Sequence, residues 1–168
     1  MKELYKTFPN ARICTSNHTS RPYRVALHAG IPKAFIREYR EFMQAPKDWV
    51  WRDWWEIDGV MYFHGEGFSG QAGALKCANQ NRKSSVIGHL HSFGGVQWSA
   101  SMNDLIFGMN VGCLIDEKAY SFRYAKNIMH KPTLGCGVVK DGTLAAFVPM
   151  DAYLKTLTKK SKTKGLGN

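Results

Sequence analysis

The stretch SSVIGHLHSFGG, Ser84–Gly95, sets a short apolar run before two histidines spaced one residue apart, with glycines on either side. An apolar, β-rich run bounded by turn formers reads as a strand that ends in a loop. In extended backbone, side chains two apart project to one side, so His89 and His91 converge while Leu90 turns away. Strand ends that open into glycine-rich loops are where α/β sheets place their sites. A metal site built this way needs further donors from other strand ends.

The chain offers two more such places. DWWEIDGVMYFHGEG, Asp53–Gly67, predicts two strands around the turn pair Asp58-Gly59 and puts His64 where the second strand meets a glycine-flanked loop. ARICTSNH, Ala11–His18, reads as a short strand breaking into a polar loop. Between these, IPKAFIREYREFMQA, Ile31–Ala45, predicts an amphipathic helix started by Pro32. SGQAGALKCANQNRK, Ser69–Lys83, predicts a helix that leads into the strand before His89. Strands follow at GVQWSAS and DLIFGMNVG, and GCGVVKDGTLAAFVPM, Gly135–Met150, predicts a hairpin around Asp141-Gly142. Helices early and strands later make an α/β (α+β) layered domain.

Composition supports one folded unit. A chain of 168 residues, 44% hydrophobic and 12% aromatic, can bury a proper core and does not suit a disordered protein. No apolar run approaches the ~20 residues of a membrane span, and the N-terminus lacks a secretory pattern, so the expected location is cytoplasmic, with no membrane partner. Cys14, Cys77, Cys113 and Cys136 form no C-x-x-C pair, which argues for reduced thiols over a zinc knuckle or dithiol motif. The formal charge of +10 suits a phosphate-bearing partner. Five lysines of the tail, Lys155, Lys159, Lys160, Lys162 and Lys164, match half of that excess, and residues 154–168 read as a basic, solvated terminus.

Of the six histidines, His28 and His130 read as ordinary structural or surface residues. The others sit in an ordered set of motifs. GHLH, Gly88–His91, resembles the G-H-x-H signature of the calcineurin-like metallophosphoesterases. TSNHTSR, Thr15–Arg21, resembles their G-N-H-D/E signature, and YFHGEG resembles the strand-end histidine between them. The segments IFGMNVGCLIDEKAYSF and LGCGVVKDGTLAAFVPM further resemble the C-terminal part of phage-type members, so the likeness runs from about Cys14 to Met150.

The resemblance implies a partial metallophosphoesterase β-sandwich with flanking helices over residues 1–153. It implies a hydrolase, a phosphatase or phosphodiesterase, that uses two divalent metal ions side by side. Asn17, His64 and His89 match ligands of the second metal, and His91 matches a ligand of the first. His18 matches the histidine that contacts the phosphate and protonates the leaving oxygen. Arg21 or Arg24 can add a guanidinium to the phosphate. Imidazole and amide donors suit Mn, Fe, Zn or Ni.

Three departures accompany the likeness. The family's D-x-H and G-D-x-x-D motifs precede G-N-H-D, which here begins within the first twenty residues, so the chain resembles the C-terminal half of the fold. Ser16 stands where the family has glycine, and Thr19 where an acidic residue orients the catalytic histidine. Glu66 is the nearest substitute carboxylate in sequence, with Asp116 a distant second. A partner chain carrying the missing motifs, or a homo-oligomer joined through an exposed sheet edge, is therefore expected. Two other functions stay open: a catalytically degenerate protein that binds one metal or a phosphate, and a basic nucleic-acid-binding module using Trp49, Trp51, Trp54 and Trp55 as stacking platforms.

Overall fold

The computed structural model describes residues 1–115 and 131–150, so Asp116, His130 and the lysine-rich tail lie outside the described residues. The N-terminal flank holds α1 (Lys2–Thr7), β1 (Ala11–Cys14), α2 (Asn17–His28), a 3-10 turn at Lys33–Phe35, α3 (Tyr39–Phe42) and β2 (Trp49–Arg52). Strands β1 and β2 pair in parallel, with Cys14 opposite Arg52. Then come β3 (Trp54–Ile57), β4 (Val60–Phe63), α4 (Gly73–Asn81), β5 (Ser85–Ile87), β6 (Gly94–Ala100) and β7 (Leu105–Val111). A last hairpin, β8 (Gly135–Lys140) and β9 (Leu144–Pro149), completes a mixed α+β fold.

Strands β3 to β7 form one sheet in the order β3-β4-β5-β7-β6. The three middle strands run parallel, and the outer two are antiparallel to their neighbours. Parallel neighbours require a crossover, and α4 supplies it between β4 and β5. The alternation of each strand then sends side chains to two separate cores. Val60, Val86, Phe107 and Met109 are buried on one face, with Val139 and Ala145 of the β8–β9 hairpin packed on them. Ala74, Cys77 and Ile87 are buried on the other, with Phe63, Phe68 and Leu90 beside them. Burying a Val, Ile, Phe or Met side chain stabilises by about 1.5–3 kcal/mol. Gly108 lets α4 settle directly on the sheet, since a Cβ there would collide with the backbone of Ala74 and Leu75.

Both hairpin turns occur where the Asp-Gly pairs predict them. Asp58 and Gly59 have φ of 49° and 73°, the left-handed conformation that a two-residue turn demands, and Asp141 and Gly142 have 52° and 66° in a three-residue turn that lets Lys140 pair with Leu144.

Three expectations need correcting. Residues 31–45 do not form one amphipathic helix; they hold the 3-10 turn and the single turn of α3. Phe35 and Phe42 are 79% and 73% exposed, so among the described residues the apolar face that would have stabilised a longer helix has little to pack on. The polar stretch after β1 is a helix start rather than a loop: Ser16 accepts from the backbone N–H of Thr19, and the Thr19 hydroxyl accepts from the backbone N–H of Ser16. This reciprocal cap offsets the loss at Pro22, which has no N–H to donate within α2. Finally, β5 ends at Ile87, so His89 and His91 lie beyond the extended segment and the two-residue alternation does not govern them.

No helix among the described residues is long and apolar enough to cross a membrane. The four cysteines are free. Burial raises the Cys14 thiol to about 11, which keeps it protonated and inert.

Candidate metal centre

The carboxyl ends of β4 and β5 lie side by side because their strands are parallel neighbours. His64 is the first residue after β4, and its carbonyl accepts from the Gly88 N–H at 3.1 Å, which ties the two departing loops together. Gly65 then turns the chain with φ of 99° and lies so near Ile87 that a Cβ would come within 2.7 Å of it. Only glycine satisfies both conditions. On the other side, Thr15 fixes the start of α2: its N–H donates to the Arg52 carbonyl at 2.9 Å and its hydroxyl donates to Asp53 at 2.5 Å. Asn17 is the first residue of α2 and reaches across to the strand ends.

Three of the side chains proposed from sequence meet there. Asn17 Oδ1 is 2.8 Å from His64 Nε2, and His89 Nδ1 is 2.9 Å from the same nitrogen. The two imidazoles are edge to face, with ring centroids 4.8 Å apart. His64 Nε2 thus has two polar neighbours and only one in-plane site, either a proton or a lone pair. If it carries the proton, it donates well to one neighbour and leaves the other facing an N–H. If it carries the lone pair, both neighbours compete to donate into it. Turning the Asn17 amide end for end does not resolve this, because the nitrogen's single site remains shared.

A cation held between the three atoms would relieve this conflict by taking a lone pair from each. For metal–donor lengths of about 2.1 Å, adjacent octahedral donors lie about 3.0 Å apart, close to the observed separations. The protonation states agree with that use. Burial, then the neighbouring His89, lower the pKa of His64 below its ordinary 6.5, with Glu66 pulling the other way and His18 and His91 adding to the fall. Burial, then His18 and His89, lower that of His91. Both rings are held neutral, as ligation requires.

His91 and His18 are close enough to act through their charges, but no hydrogen bond links either ring to the other three side chains among the described residues. His91 is anchored by its backbone, whose carbonyl accepts from the Thr133 N–H at 2.7 Å. His18 is exposed, at the second position of α2. Arg21 is exposed and makes no hydrogen bond to the cluster, whereas Arg24 reaches back to the Asn17 carbonyl at 3.3 Å. Glu66 is exposed on the loop after His64 and acts on it through charge.

The Thr19 hydroxyl, donating to the Ser16 carbonyl at 3.0 Å, is committed to the helix cap and does not orient His18. A residue that sequence reasoning passed over is Asn110, 5% exposed near the carboxyl end of β7 and opposite Ile87, with its Oδ1 unpartnered among the described residues. The signal was an amide in an otherwise apolar strand.

Among the described residues, no three or more His, Cys, Asp and Glu side chains are gathered as a ready metal cluster; the convergence consists of two imidazoles and an amide. Such a set fits one first-row divalent ion, with its charge left uncompensated by any anionic ligand. Two surface recesses lie elsewhere, one beside Tyr39 and Trp51 and the other beside Arg12 and Trp55. No family model matches the chain, and no curated protein or solved structure matches it.

Proposed function

We propose that this chain is a metal-dependent phosphoesterase of the calcineurin-like kind, acting on a phosphomonoester or phosphodiester. The observation that carries the proposal is the convergence of Asn17 Oδ1, His64 Nε2 and His89 Nδ1, which hydrogen bonding alone does not satisfy. Asn17, His64 and His89 would hold the ion, and His91 would serve a second ion or the substrate. A bound Mn, Fe, Zn or Ni ion supplies Lewis-acid polarisation of the phosphoryl oxygens. The chain's own residues do the rest. An imidazole N–H of His18 donates its proton to the leaving oxygen. Arg24, held beside the start of α2, offers a guanidinium to the phosphate, and Arg21 one turn away can add another. The helix N-terminus directs backbone N–H groups to the same side.

Neutral donors alone give a weak, single site, so full activity calls for carboxylates from a partner chain or a second copy of this one. The test is turnover of bis-p-nitrophenyl phosphate with manganese, by the chain alone and with candidate partners. Turnover that disappears in His89→Ala supports the proposal; none under any metal or partner condition overturns it.

One observation favours a second reading, a metal- or phosphate-binding protein without catalysis. The Thr19 hydroxyl is occupied by the helix cap, so nothing described orients His18 for proton transfer. Calorimetry that finds one weak metal site, together with background hydrolysis, selects this alternative.

A further inference from the structure

The flank formed by β1, β2 and β3 carries a feature that the histidine corner does not use. The guanidinium carbons of Arg12 and Arg52 lie 5.4 Å and 4.5 Å from the centroid of the Trp55 ring. That ring is fixed in place, since its Nε1–H donates to the Ile13 carbonyl at 3.1 Å. Two cations over one indole are each attracted to the ring and repelled by each other. Neither arginine has an ion pair among the described residues. Two carboxylates flank them: Asp53 accepts the Thr15 hydroxyl and keeps its negative charge, and Glu56 pairs with Lys83 at 2.7 Å.

The arginines and Trp55 line an open groove of about 890 Å³, together with Trp54, which is 54% exposed. An apolar ring left in water beside two unpaired cations matches a ligand with both π-faces and anionic groups. Trp51 also lines the groove, whereas Trp49 and Trp98 do not. Trp49 is 6% exposed with its Nε1–H donated to the Phe8 carbonyl, and Trp51 stacks on Tyr39. Thr15, which lines the groove, is two residues before Asn17 of the histidine corner.

We propose that this groove binds single-stranded nucleic acid, with phosphates on Arg12 and Arg52 and a base stacked on Trp54. Phosphate recognition by guanidinium and base stacking on indole are the two ingredients of sequence-tolerant strand binding. The site stands independently of any metal.

The test is fluorescence anisotropy of the full chain with a fluorescein-labelled DNA strand of about 15 nucleotides, a length that covers one such module. It is run with EDTA present and across a salt series. Arg12→Gln/Arg52→Gln should weaken binding at least 10-fold and flatten the plot of log K against log salt by about 1.4, at ~0.7 per lost phosphate contact. Trp54→Ala should weaken binding about 10-fold. All three residues are exposed, and a thermal melt matching the unaltered protein confirms folding. Replacing the five tail lysines by glutamine should weaken binding less than the double arginine change does.

An unchanged salt slope in the double variant overturns the proposal, as does loss of binding in EDTA, a larger effect from the tail, or equal competition by polyglutamate. None of these outcomes bears on hydrolysis at the histidines. Failure of metal-dependent turnover leaves the binding result standing.

Discussion

His64 and His89 leave β4 and β5, where Val60, Val86 and Ile87 are buried, whereas Asn17 leaves α2, a helix that buries none of its twelve residues. The first two donors stand on a packed sheet. The third hangs from a cap, a two-stranded ribbon and a few side-chain hydrogen bonds. What the contrast teaches is where the site is stiff and where it can yield. A centre assembled from a rigid half and a lightly held half gains order when a ligand joins them.

Four experiments test that contrast, beginning with the greatest effect. Phe107→Ala, in the packed body, should cost about 3–5 kcal/mol in urea unfolding. Val25→Ala, on α2 and 60% exposed, should cost less than about 0.5 kcal/mol. Equal costs would erase the difference between the two regions. Next, His89→Ala should lower manganese affinity by more than about 100-fold in calorimetry, because loss of an outer-shell partner alone costs 10–100-fold. Retained affinity would show that the ring is not a ligand.

Ser16→Ala removes the helix cap that holds Asn17 and should cost about 1 kcal/mol. Its metal affinity should fall several-fold while the sheet's hydrogen exchange is unchanged; exchange that quickens throughout the sheet would mean the two halves are one. The smallest effect is that of pH. The lowered folded-state pKa values of His64 and His91 mean that the unfolded chain takes up protons first as pH falls. The stability from keeping these rings neutral is complete above about 6.5 and is lost as pH drops through their folded values. The melting temperature should therefore decline on acidification below 6.5, and less so in His64→Gln. An equal decline in that variant would assign the effect to other groups.

Sequence reasoning succeeded where geometry is set locally. The Asp-Gly pairs at 58–59 and 141–142 require left-handed backbone, so the hairpins around them were legible. The meeting of His64 and His89 was legible too, because apolar runs fix where strands end and parallel neighbours bring those ends together. Two features were hidden because they depend on packing or on an uncommon pair. A Ser-x-x-Thr cap lacks the usual glutamate or glutamine at its fourth position, so the start of α2 read as a polar loop. Residues 31–45 carry a helical pattern, but the described residues leave Phe35 and Phe42 mostly uncovered. The two-residue alternation invoked for His89 and His91 does not govern them, because β5 stops two residues short of the first of them.

The meeting of the two tight turns has a further result. A Cβ on Gly142 would strike the carbonyl of Asp58, so the tip of the β8–β9 ribbon is keyed against the tip of the β3–β4 ribbon. Because strand side chains alternate, an inserted residue at the β8–β9 tip that shifted β8 by one position would present Val138 where Val139 now faces inward. That single notch sets the phase of the whole covering layer.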